Sequence, residues 1–179
     1  LIDLCDLIKI RKIKGRKDIV KFQGKFAKFI KNKSNSIIKV LKILREKGLI
    51  SECYSVLVNK RIPVFAGMGG GTSNAVCLIK YFTGNKINKN LSSILDKKIG
   101  SDLRLFFHKQ GFLSNLKIIT HFQKKKLFFI LIKPNIRCST REIYSKVRKY
   151  SKKRLLVHNK INTKNKFISV LSQENNDLQ

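Results

Sequence analysis

The sequence has no apolar run long enough to cross a membrane. Its longest continuous apolar run, Leu127 to Ile132, falls far short of the about 20 residues that a membrane-spanning helix needs. The chain also begins without the charged and apolar pattern of a secretory signal peptide. These absences predict a protein that does not associate with membranes.

Cysteine is sparse, and its four copies are far apart in the chain. No two of them form a C-x-x-C pair, and no histidine follows at the spacing of a zinc finger. This pattern favours a reduced, cytoplasmic protein whose thiols are incidental, with a zinc site as the weaker alternative. The four residues are Cys5, Cys53, Cys77 and Cys138.

Acidic residues are also few: ten Asp and Glu stand against 40 Lys and Arg, which gives a net charge of +30. Such a charge is typical of proteins that bind nucleic acids. The excess is mostly lysine, however, and it is spread along the chain among many Ile and Asn residues without interleaved aromatics. We therefore favour a compositional origin and expect no specific nucleic-acid partner. A basic surface would still attract an anionic substrate such as a nucleotide.

The first third of the chain predicts two strands and a helix. Hydrophobic residues make up 42% of the sequence, which suits one good core or two small ones. Segments 1–13 and 19–23 alternate apolar and polar residues in part, which predicts an antiparallel pair of strands. Apolar residues then recur at helical spacing, with Asn35 or Ser34 as the N-cap and Gly48 as the stop.

The rest of the chain continues this mixture of helices and strands. The segment 127–132 is apolar throughout, which predicts a buried strand. Residues 151–166 are basic and polar and predict a solvated loop or a frayed helix. Further strands are expected at 54–58 and 103–107, and helices at 74–82, 91–98 and 140–150, with Gly84 ending the first of these helices.

A glycine-rich segment between a strand and a helix carries the clearest functional signal. Four of the ten glycines lie within the five residues 67–71. Glycine leaves no Cβ in the way, so backbone N–H groups can approach an anion closely. Thr72 and Ser73 add hydroxyl groups, and the positive end of the following helix points at the same place. The segment therefore predicts a phosphate-binding loop, although it lacks the Gly-Lys-Ser/Thr of a Walker A motif. A flexible linker is the weaker alternative, because a linker would be flanked by polar residues.

The pattern Pro-x-x-x-Gly-x-Gly-Gly-Gly-Thr-Ser-x-Ala, from Pro63 to Ala75, resembles the second motif of the GHMP kinases. That family includes galactokinase, homoserine kinase and mevalonate kinase. Residues 99–102 (Ile-Gly-Ser-Asp) are similar to the segment with the family's catalytic aspartate. Lys133-Pro134, Ser139-Thr140 and Tyr144 resemble a third segment, and Asn176-Asp177-Leu178 resembles an Asn-Asp-Leu-Glu motif, with Gln179 where Glu is usual.

The triple glycine and Lys60-Arg61-Ile62-Pro63 look most like family members that act on 4-(cytidine 5′-diphospho)-2-C-methyl-D-erythritol. The resemblance implies transfer of the ATP γ-phosphate to the 2-hydroxyl of that compound, in the non-mevalonate pathway to isoprenoid precursors. It implies an α+β fold with two domains. Residues 1–124 would belong to a domain like the second domain of ribosomal protein S5, and 125–179 to a ferredoxin-like domain. The family's Lys-x-Asn-Leu and Gly-Ser-Gly motifs are not found in the sequence, so we expect an internal piece that is inactive by itself.

The resemblance also assigns roles to residues. Asp102 would accept the proton of the substrate hydroxyl, although the family's proline after this segment is missing here. Tyr144 would stack on the cytosine with Thr140 nearby, and Mg²⁺ would accompany ATP near Thr72 and Ser73, with no metal ligand assigned firmly. ATP would contact Asn35, Lys60, Pro63, Val64, Phe65, Ala66, Gly67, Met68, Gly69, Gly70, Gly71, Thr72 and Ser73.

Each of these roles has a structural alternative. Asn35 could be only a helix cap, Lys60 a solvated charge, Tyr144 a core residue and Asp102 a cap or turn residue. Two other functions also stay open at this stage. One is a different GHMP small-molecule kinase, and the other is a basic nucleic-acid-binding protein with an S5-like fold.

Overall fold

The computed structural model describes residues 3–30, 35–100, 102–108, 112–114, 118–120, 126–132, 140–148 and 163–173. In this part of the chain, no helix is both long and apolar enough to cross a membrane. The strands are β1 (Leu7–Ile13), β2 (Ile19–Gln23), β3 (Cys53–Asn59), β4 (Phe112–Ser114) and β5 (Ile118–Thr120). The helices are α1 (Ser36–Glu46), α2 (Gly70–Thr83), α3 (Lys89–Ile99), α4 (Leu103–Phe107), α5 (Thr140–Lys146) and α6 (Lys164–Gln173).

Strand β3 lies at the centre of a three-stranded sheet, with β1 antiparallel on one side and β2 parallel on the other. The expectation that β1 and β2 pair with each other is therefore wrong. Val56 and Val58 of β3 are fully buried, whereas β1 and β2 have no fully buried residue. The most apolar strand takes the centre because only there is it covered on both edges by neighbouring strands. Strands β4 and β5 form a separate antiparallel pair.

One face of the sheet packs against helices α1 and α2. The register aligns Ile8 and Phe22 with Val58, so that alternate residues of all three strands face the helices. Helix α1 buries apolar side chains at helical spacing, including Ile37, Leu41 and Leu44. Burial of each such side chain contributes about 1.5–3 kcal/mol, which is why the apolar stripe predicted this helix correctly.

The helix ends agree with the capping residues seen in the sequence. Asn35 caps α1, its Oδ1 accepting from the N–H of Ile38 at 3.1 Å. Asn88 caps α3 in the same way through the N–H of Leu91. Helix α2 ends before Gly84, as expected, but it begins at Gly70 rather than Asn74. Part of the glycine-rich segment is therefore the first turn of α2.

Residues 103–107 form helix α4, and the expectation of a strand is wrong. Leu103, Phe106 and Phe107 share one face at helical spacing and join the core around α1, α2 and α3. Leu103 is completely buried. The segment is too short for its periodicity to separate helix from strand, so the choice depends on packing.

The apolar run 127–132 is not a buried strand either. It has no regular secondary structure, and Phe128, Ile130 and Ile132 are exposed by 81%, 92% and 87%. A strand needs a neighbour to complete its backbone hydrogen bonds, and no described strand pairs with this run. Apart from the half-buried Leu127, all residues of this run are exposed.

The end of the chain is described only in part. Helix α5 agrees with the helix expected from Thr140, and α6 begins at Lys164, inside the stretch expected to be a loop or frayed helix. The expected boundary near residue 124 lies outside the described residues, as do Ser101, Lys133, Pro134, Ser139 and Asn176–Gln179. The two-domain division therefore stays a prediction.

Candidate active site

The glycine-rich segment connects β3 to the N-terminus of α2. Gly69 has a φ of 63°, in the left-handed region, and stands at the N-cap position of α2. The first intrahelical hydrogen bond runs from the N–H of Ser73 to the carbonyl of Gly69, at 2.8 Å. The N–H groups of Gly70, Gly71 and Thr72 come before that bond and are directed beyond the end of the helix. Such an arrangement can bind an anion.

A cleft of about 440 Å³ opens in front of these N–H groups. Every residue expected to contact ATP lines it except Ser73, which lies within the first turn of α2. The rest of the wall comes from β2, from α1 and from the end of α3. The lining residues are Phe22, Ile30, Asn35, Ser36, Lys39, Lys60, Pro63 to Thr72, Asn74 and Ile99.

Two glycines of the cleft, Gly69 and Gly70, have close neighbours that do not line it. A Cβ at Gly69 would lie 2.6 Å from Cζ of Phe106, and a Cβ at Gly70 would lie 3.0 Å from Cγ2 of Ile62. A Cβ at Gly71 would instead meet nothing nearer than Ser36 Oγ, at 3.7 Å. A Cβ at Gly69 would therefore force the Phe106 ring to shift, and one at Gly70 would be a tight contact with Ile62, whereas one at Gly71 would make only ordinary van der Waals contact.

Asn35 and Lys60 both line the cleft, but each has a structural partner. Asn35 caps α1, so its structural alternative holds alongside any contact with a nucleotide. Lys60 is only 4% exposed and forms an ion pair with Asp6, so it is not the solvated charge of its structural alternative. Its ammonium group is bound by the Asp6 carboxylate within the protein.

Asp6 is a site residue that sequence reasoning missed. Its completely buried carboxylate accepts hydrogen bonds from Lys60 Nζ, from the N–H groups of Arg61 and Ile62, and from Asn74 Nδ2. Burial alone would raise the pKa of Asp6, but these hydrogen bonds outweigh it and hold the pKa below its ordinary value. Its side-chain partners lie 54 and 68 positions away, so no local pattern could identify it.

Asp102 stands immediately before α4 and outside the cleft lining. Its exposed side chain does not cap α4, which argues against the helix-cap alternative, but it lies in a turn, so the turn alternative holds alongside any catalytic role. Ile99 lines the cleft, and a Cβ at Gly100 would lie 3.9 Å from Thr72 Oγ1. The segment that leads to Asp102 therefore runs beside the loop, as the resemblance implies.

Helix α4 is fastened to α2 and α3, which places Asp102 relative to the loop. Lys80 Nζ of α2 donates to the carbonyls of Phe106 and Phe107 at 3.1 and 3.2 Å, and burial lowers its pKa. Arg104 Nε donates to Asp96 Oδ2 of α3 at 2.5 Å. Cations at helix C-termini satisfy carbonyls that have no partner in the helix.

The residues expected to bind the second substrate lie on α5. Tyr144 is 52% exposed, so it is not the core residue of its structural alternative. Thr140 is the first residue of the same helix. Neither lines the cleft.

Two further residues of the cleft wall, Ser36 and Lys39, were also missed. Ser36 Oγ donates to the carbonyl of Gly71 at 2.7 Å, which ties α1 to the loop. Lys39 adds an exposed cation to the wall. Both residues lie in the first turn of α1, directly after the Asn35 cap. Because Asn35 was expected to contact the nucleotide, the turn that follows it was the available signal.

No disulfide joins Cys5, Cys53 and Cys77, the cysteines that the structure describes. The same part of the chain contains no group of three or more His, Cys, Asp or Glu that could hold a metal ion.

Residues 35–101 match the family described as the GHMP kinases N terminal domain. The matched span runs from the cap of α1 through β3, the glycine loop, α2 and α3. It therefore contains most of the cleft wall.

Individual proteins extend the match over most of the chain. The chain is 41% identical over 162 residues to the 4-diphosphocytidyl-2-C-methyl-D-erythritol kinase of Pelagibacter ubique, with 84% of this chain and 56% of that protein covered. It is 31% identical over 153 residues to the protein of the same name from Thermoanaerobacter pseudethanolicus, with 81% and 50% covered. The chain thus spans about half the length of these curated relatives.

A solved structure of 4-(cytidine 5′-diphospho)-2C-methyl-D-erythritol kinase is similar to this one with a TM-score of 0.54 and 20% identity. The similarity covers 81% of this chain and 52% of that one. It confirms the expected α+β class. With the fold, the matched domain and the glycine loop in agreement, the chain belongs to the GHMP kinase family.

Proposed function

We propose that this protein transfers the γ-phosphate of ATP to the 2-hydroxyl of 4-(cytidine 5′-diphospho)-2-C-methyl-D-erythritol. The observation that carries the proposal is the cleft at the N-terminus of α2, with the segment that leads to Asp102 beside Thr72. The names of the relatives from Pelagibacter ubique and Thermoanaerobacter pseudethanolicus support this substrate.

The glycine loop would hold the phosphates of ATP. Pro63 to Thr72 line the cleft, and the N–H groups of Gly70, Gly71 and Thr72 are available to phosphate oxygens. An anion at a helix N-terminus is stabilised by about 0.3–1 kcal/mol, and by more in a partly buried site. Lys39 adds a positive charge to the wall of the same cleft. These groups orient the nucleotide and balance its charge, which is most of what phosphoryl transfer requires of a protein.

Asp102 would supply the proton transfer. As the substrate hydroxyl oxygen forms its bond to the γ-phosphorus, the carboxylate takes the hydroxyl proton. The bond between the γ-phosphorus and the bridging oxygen breaks, and ADP leaves with that electron pair. Base assistance of this kind contributes about 10²–10⁴-fold to the rate.

A Mg²⁺ ion fits the donors that the loop offers. Mg²⁺ in kinases is commonly bound by one or two carboxylates together with substrate phosphates, without a cage of protein ligands. Thr72 and Ser73 would offer hydroxyl groups at the start of α2, beside the phosphates of ATP. When bound, the ion would supply charge neutralisation for the phosphates.

Tyr144 and Thr140 would recognise the cytidine part of the substrate. The half-exposed ring of Tyr144 is available for stacking on a base, and Thr140 lies on the same helix. The cytoplasmic location indicated by the cysteine pattern remains a prediction.

The direct test is a reaction of the purified protein, extended to the full length of its relatives, with ATP and 4-(cytidine 5′-diphospho)-2-C-methyl-D-erythritol. ³¹P NMR should show ADP and a new phosphomonoester in equal amounts. Mevalonate, homoserine and galactose serve as matched acceptors for a different GHMP kinase. Phosphorylation of one of these three in preference to the cytidyl compound would contradict the proposed substrate while leaving the kinase assignment intact.

The net charge of +30 favours a second candidate function, nucleic-acid binding. Phosphate contacts by many lysines make such binding strongly dependent on salt. An electrophoretic shift assay with RNA at physiological salt, beside an ATP-binding assay, distinguishes the two functions. We expect ATP binding and no shift, and a tight RNA complex without ATP binding would favour the second function.

A further inference from the structure

The carboxylate of Asp6 joins the two ends of the glycine loop. Its Oδ1 accepts from the N–H groups of Arg61 and Ile62 at 2.7 and 2.8 Å, immediately before Pro63. Its Oδ2 accepts from Asn74 Nδ2 at 2.8 Å, immediately after Ser73. One side chain therefore holds both the entry and the exit of the segment 63–73.

This contact is more deeply buried and more fully hydrogen-bonded than an ordinary surface ion pair. The Asp6 side chain is completely buried and Lys60, which also donates to Oδ2, is 4% exposed. A buried carboxylate is stable only when it is paired and its oxygens are hydrogen-bonded, and here both oxygens have two donors each. The hydrogen bonds keep the pKa of Asp6 below its ordinary value despite burial, so the carboxylate stays charged at neutral pH.

The loop has few other restraints of its own. Val64 and Phe65 form a turn, and within the described part of the chain no hydrogen bond connects residues 63–68 to another element. The position of these residues is then set by the two ends, by the tight contact of Gly69 with Phe106 and by that of Gly70 with Ile62. Ile62 is itself one of the two residues whose N–H binds Asp6.

We propose that Asp6 is a positioning residue for the phosphate-binding loop: it closes 63–73 into the shape that receives ATP. The proposal rests on the proposed ATP-binding function of this cleft. It gives Asp6 no contact with ATP or with the second substrate, because its action passes through the backbone of residues 61–62 and through Asn74.

The chain offers a matched control in Asp18. Like Asp6, Asp18 has a carboxylate that is paired with a cation, here Arg45. It also accepts a hydrogen bond from the backbone N–H of Tyr54 at 2.8 Å. It connects α1 with β3 away from the cleft and lines a different hollow. Asp18→Asn should therefore lower the melting temperature without affecting the glycine loop.

The test compares Asp6→Asn, Asp18→Asn and the double variant Asp6→Asn/Asn74→Asp in the full chain. In Asp6→Asn the oxygen can still accept from residues 61 and 62, but an NH₂ group faces Lys60 and Asn74. The double variant exchanges the amide and the carboxylate between neighbours, so Lys60 regains a carboxylate and the number of hydrogen bonds is restored. Asn74→Ala, which removes one hydrogen bond from Asp6, is the milder variant if Asp6→Asn does not fold.

Two readouts are measured on each variant: the Kd of ATP by equilibrium binding, and hydrogen–deuterium exchange of residues 61–74 without ligand. We expect Asp6→Asn to raise the ATP Kd by about tenfold or more, the usual order for losing hydrogen bonds to a charged group. Exchange should rise in the loop, and the double variant should return this exchange to within about threefold of wild type. ATP affinity is not the readout for the double variant, because Asn74 lines the cleft. Asn74→Ala should produce smaller changes of the same sign, and Asp18→Asn should change neither value.

The inference would be overturned if the loop of Asp6→Asn exchanged at the wild-type rate. If that variant does not fold, the same result for Asn74→Ala would overturn it. An increase spread over the whole chain, as expected of a merely structural residue, would do the same. If the wild-type protein does not bind ATP but Asp6→Asn still increases exchange in the loop, the proposed function is refuted instead. Asp6 would then hold a loop that has another use. The cytidyl substrate should bind Asp6→Asn within about twofold of wild type, and an equal loss for both ligands would also count against the inference.

Discussion

The ring of Phe106 lies directly against Gly69, so that a Cβ at this glycine would be 2.6 Å from the ring. Phe106 belongs to α4, the helix that begins just after Asp102, and Gly69 is the N-cap of α2. The contact therefore connects the segment that carries the candidate base with the loop that we propose to bind phosphate. Its tightness suggests that a side chain at Gly69 would disturb both.

The first prediction compares Gly69→Ala with Gly67→Ala. Both glycines have a φ in the left-handed region, 63° and 66°, so alanine is strained by about 1–2 kcal/mol at either position. A Cβ at Gly67 meets nothing within 4 Å, whereas at Gly69 it meets Phe106. Gly69→Ala should therefore lower the free energy of unfolding by about 1–3 kcal/mol more than Gly67→Ala, as overpacking typically does. Urea denaturation measures the difference, and equal losses would show that the ring moves aside freely.

The second prediction concerns Gly71→Ala. Gly71 is in the first turn of α2, and a Cβ there finds ordinary space, 3.7 Å from Ser36 Oγ. Alanine is the better helix former, so the variant should be as stable as wild type or more so. ATP binding should nevertheless weaken by about tenfold, roughly 1.4 kcal/mol, because the Cβ occupies space at the phosphates.

Isothermal titration with ATP and a thermal melt on the same sample test this prediction. Gly70→Ala would be a poorer choice, since its Cβ would be 3.0 Å from Ile62 and would mix packing with binding. A stable Gly71→Ala protein with unchanged ATP affinity would remove Gly71 from the phosphate site.

The third prediction is that Asp102→Asn lowers kcat by at least about 10²-fold, the usual contribution of a general base. Asn is nearly isosteric with Asp but cannot accept the hydroxyl proton at neutral pH. ATP affinity should be retained, because the phosphates are held by the glycine loop. Steady-state rates of the full-length protein measure kcat, and ATP titrations of the same protein measure the ATP affinity. Turnover within a few-fold of wild type in a folded variant would exclude Asp102 from the chemistry.

Tyr144 gives a fourth prediction. If its half-exposed ring stacks on cytosine, Tyr144→Phe should be nearly silent and Tyr144→Ala should raise the KM of the cytidyl substrate. Stacking on a base is worth about 1–3 kcal/mol, so the expected increase is roughly tenfold or more. The KM of ATP is the internal control and should not change. Similar effects of Phe and Ala would indicate a role for the hydroxyl group instead.

The fifth prediction concerns strain in the loop at Phe65. Phe65 has a φ of 61°, an uncommon conformation for a bulky residue, and its side chain is 48% exposed. Relief of this strain outweighs the extra chain entropy of glycine, so Phe65→Gly should raise the free energy of unfolding by about 1 kcal/mol. Asn85→Gly is the matched control, because Asn85 has a φ of 65° but asparagine tolerates this region. Urea denaturation that shows no gain for Phe65→Gly over Asn85→Gly would contradict the strain.

Local sequence predicted the helices better than the sheet. The apolar stripe of α1 and its Asn35 cap, and the stop of α2 at Gly84, are visible within a few turns of chain. The order β1-β3-β2 was not visible, because it depends on which strand is buried most completely after the helices have packed. Helix α4 was missed for a similar reason: Leu103, Phe106 and Phe107 fit either a short strand or a helix until α2 and α3 surround them.

The sequence by itself determined a glycine-rich loop that leads into an apolar helix, an arrangement that can leave backbone N–H groups open to an anion. It also determined the family, because Pro63 to Ala75 carries the motif in its own letters. Only the tertiary structure decided what holds the loop. Asp6 meets Lys60, Arg61, Ile62 and Asn74 because β1 lies beside β3, and such contacts between distant residues depend on strand pairing that no local pattern encodes.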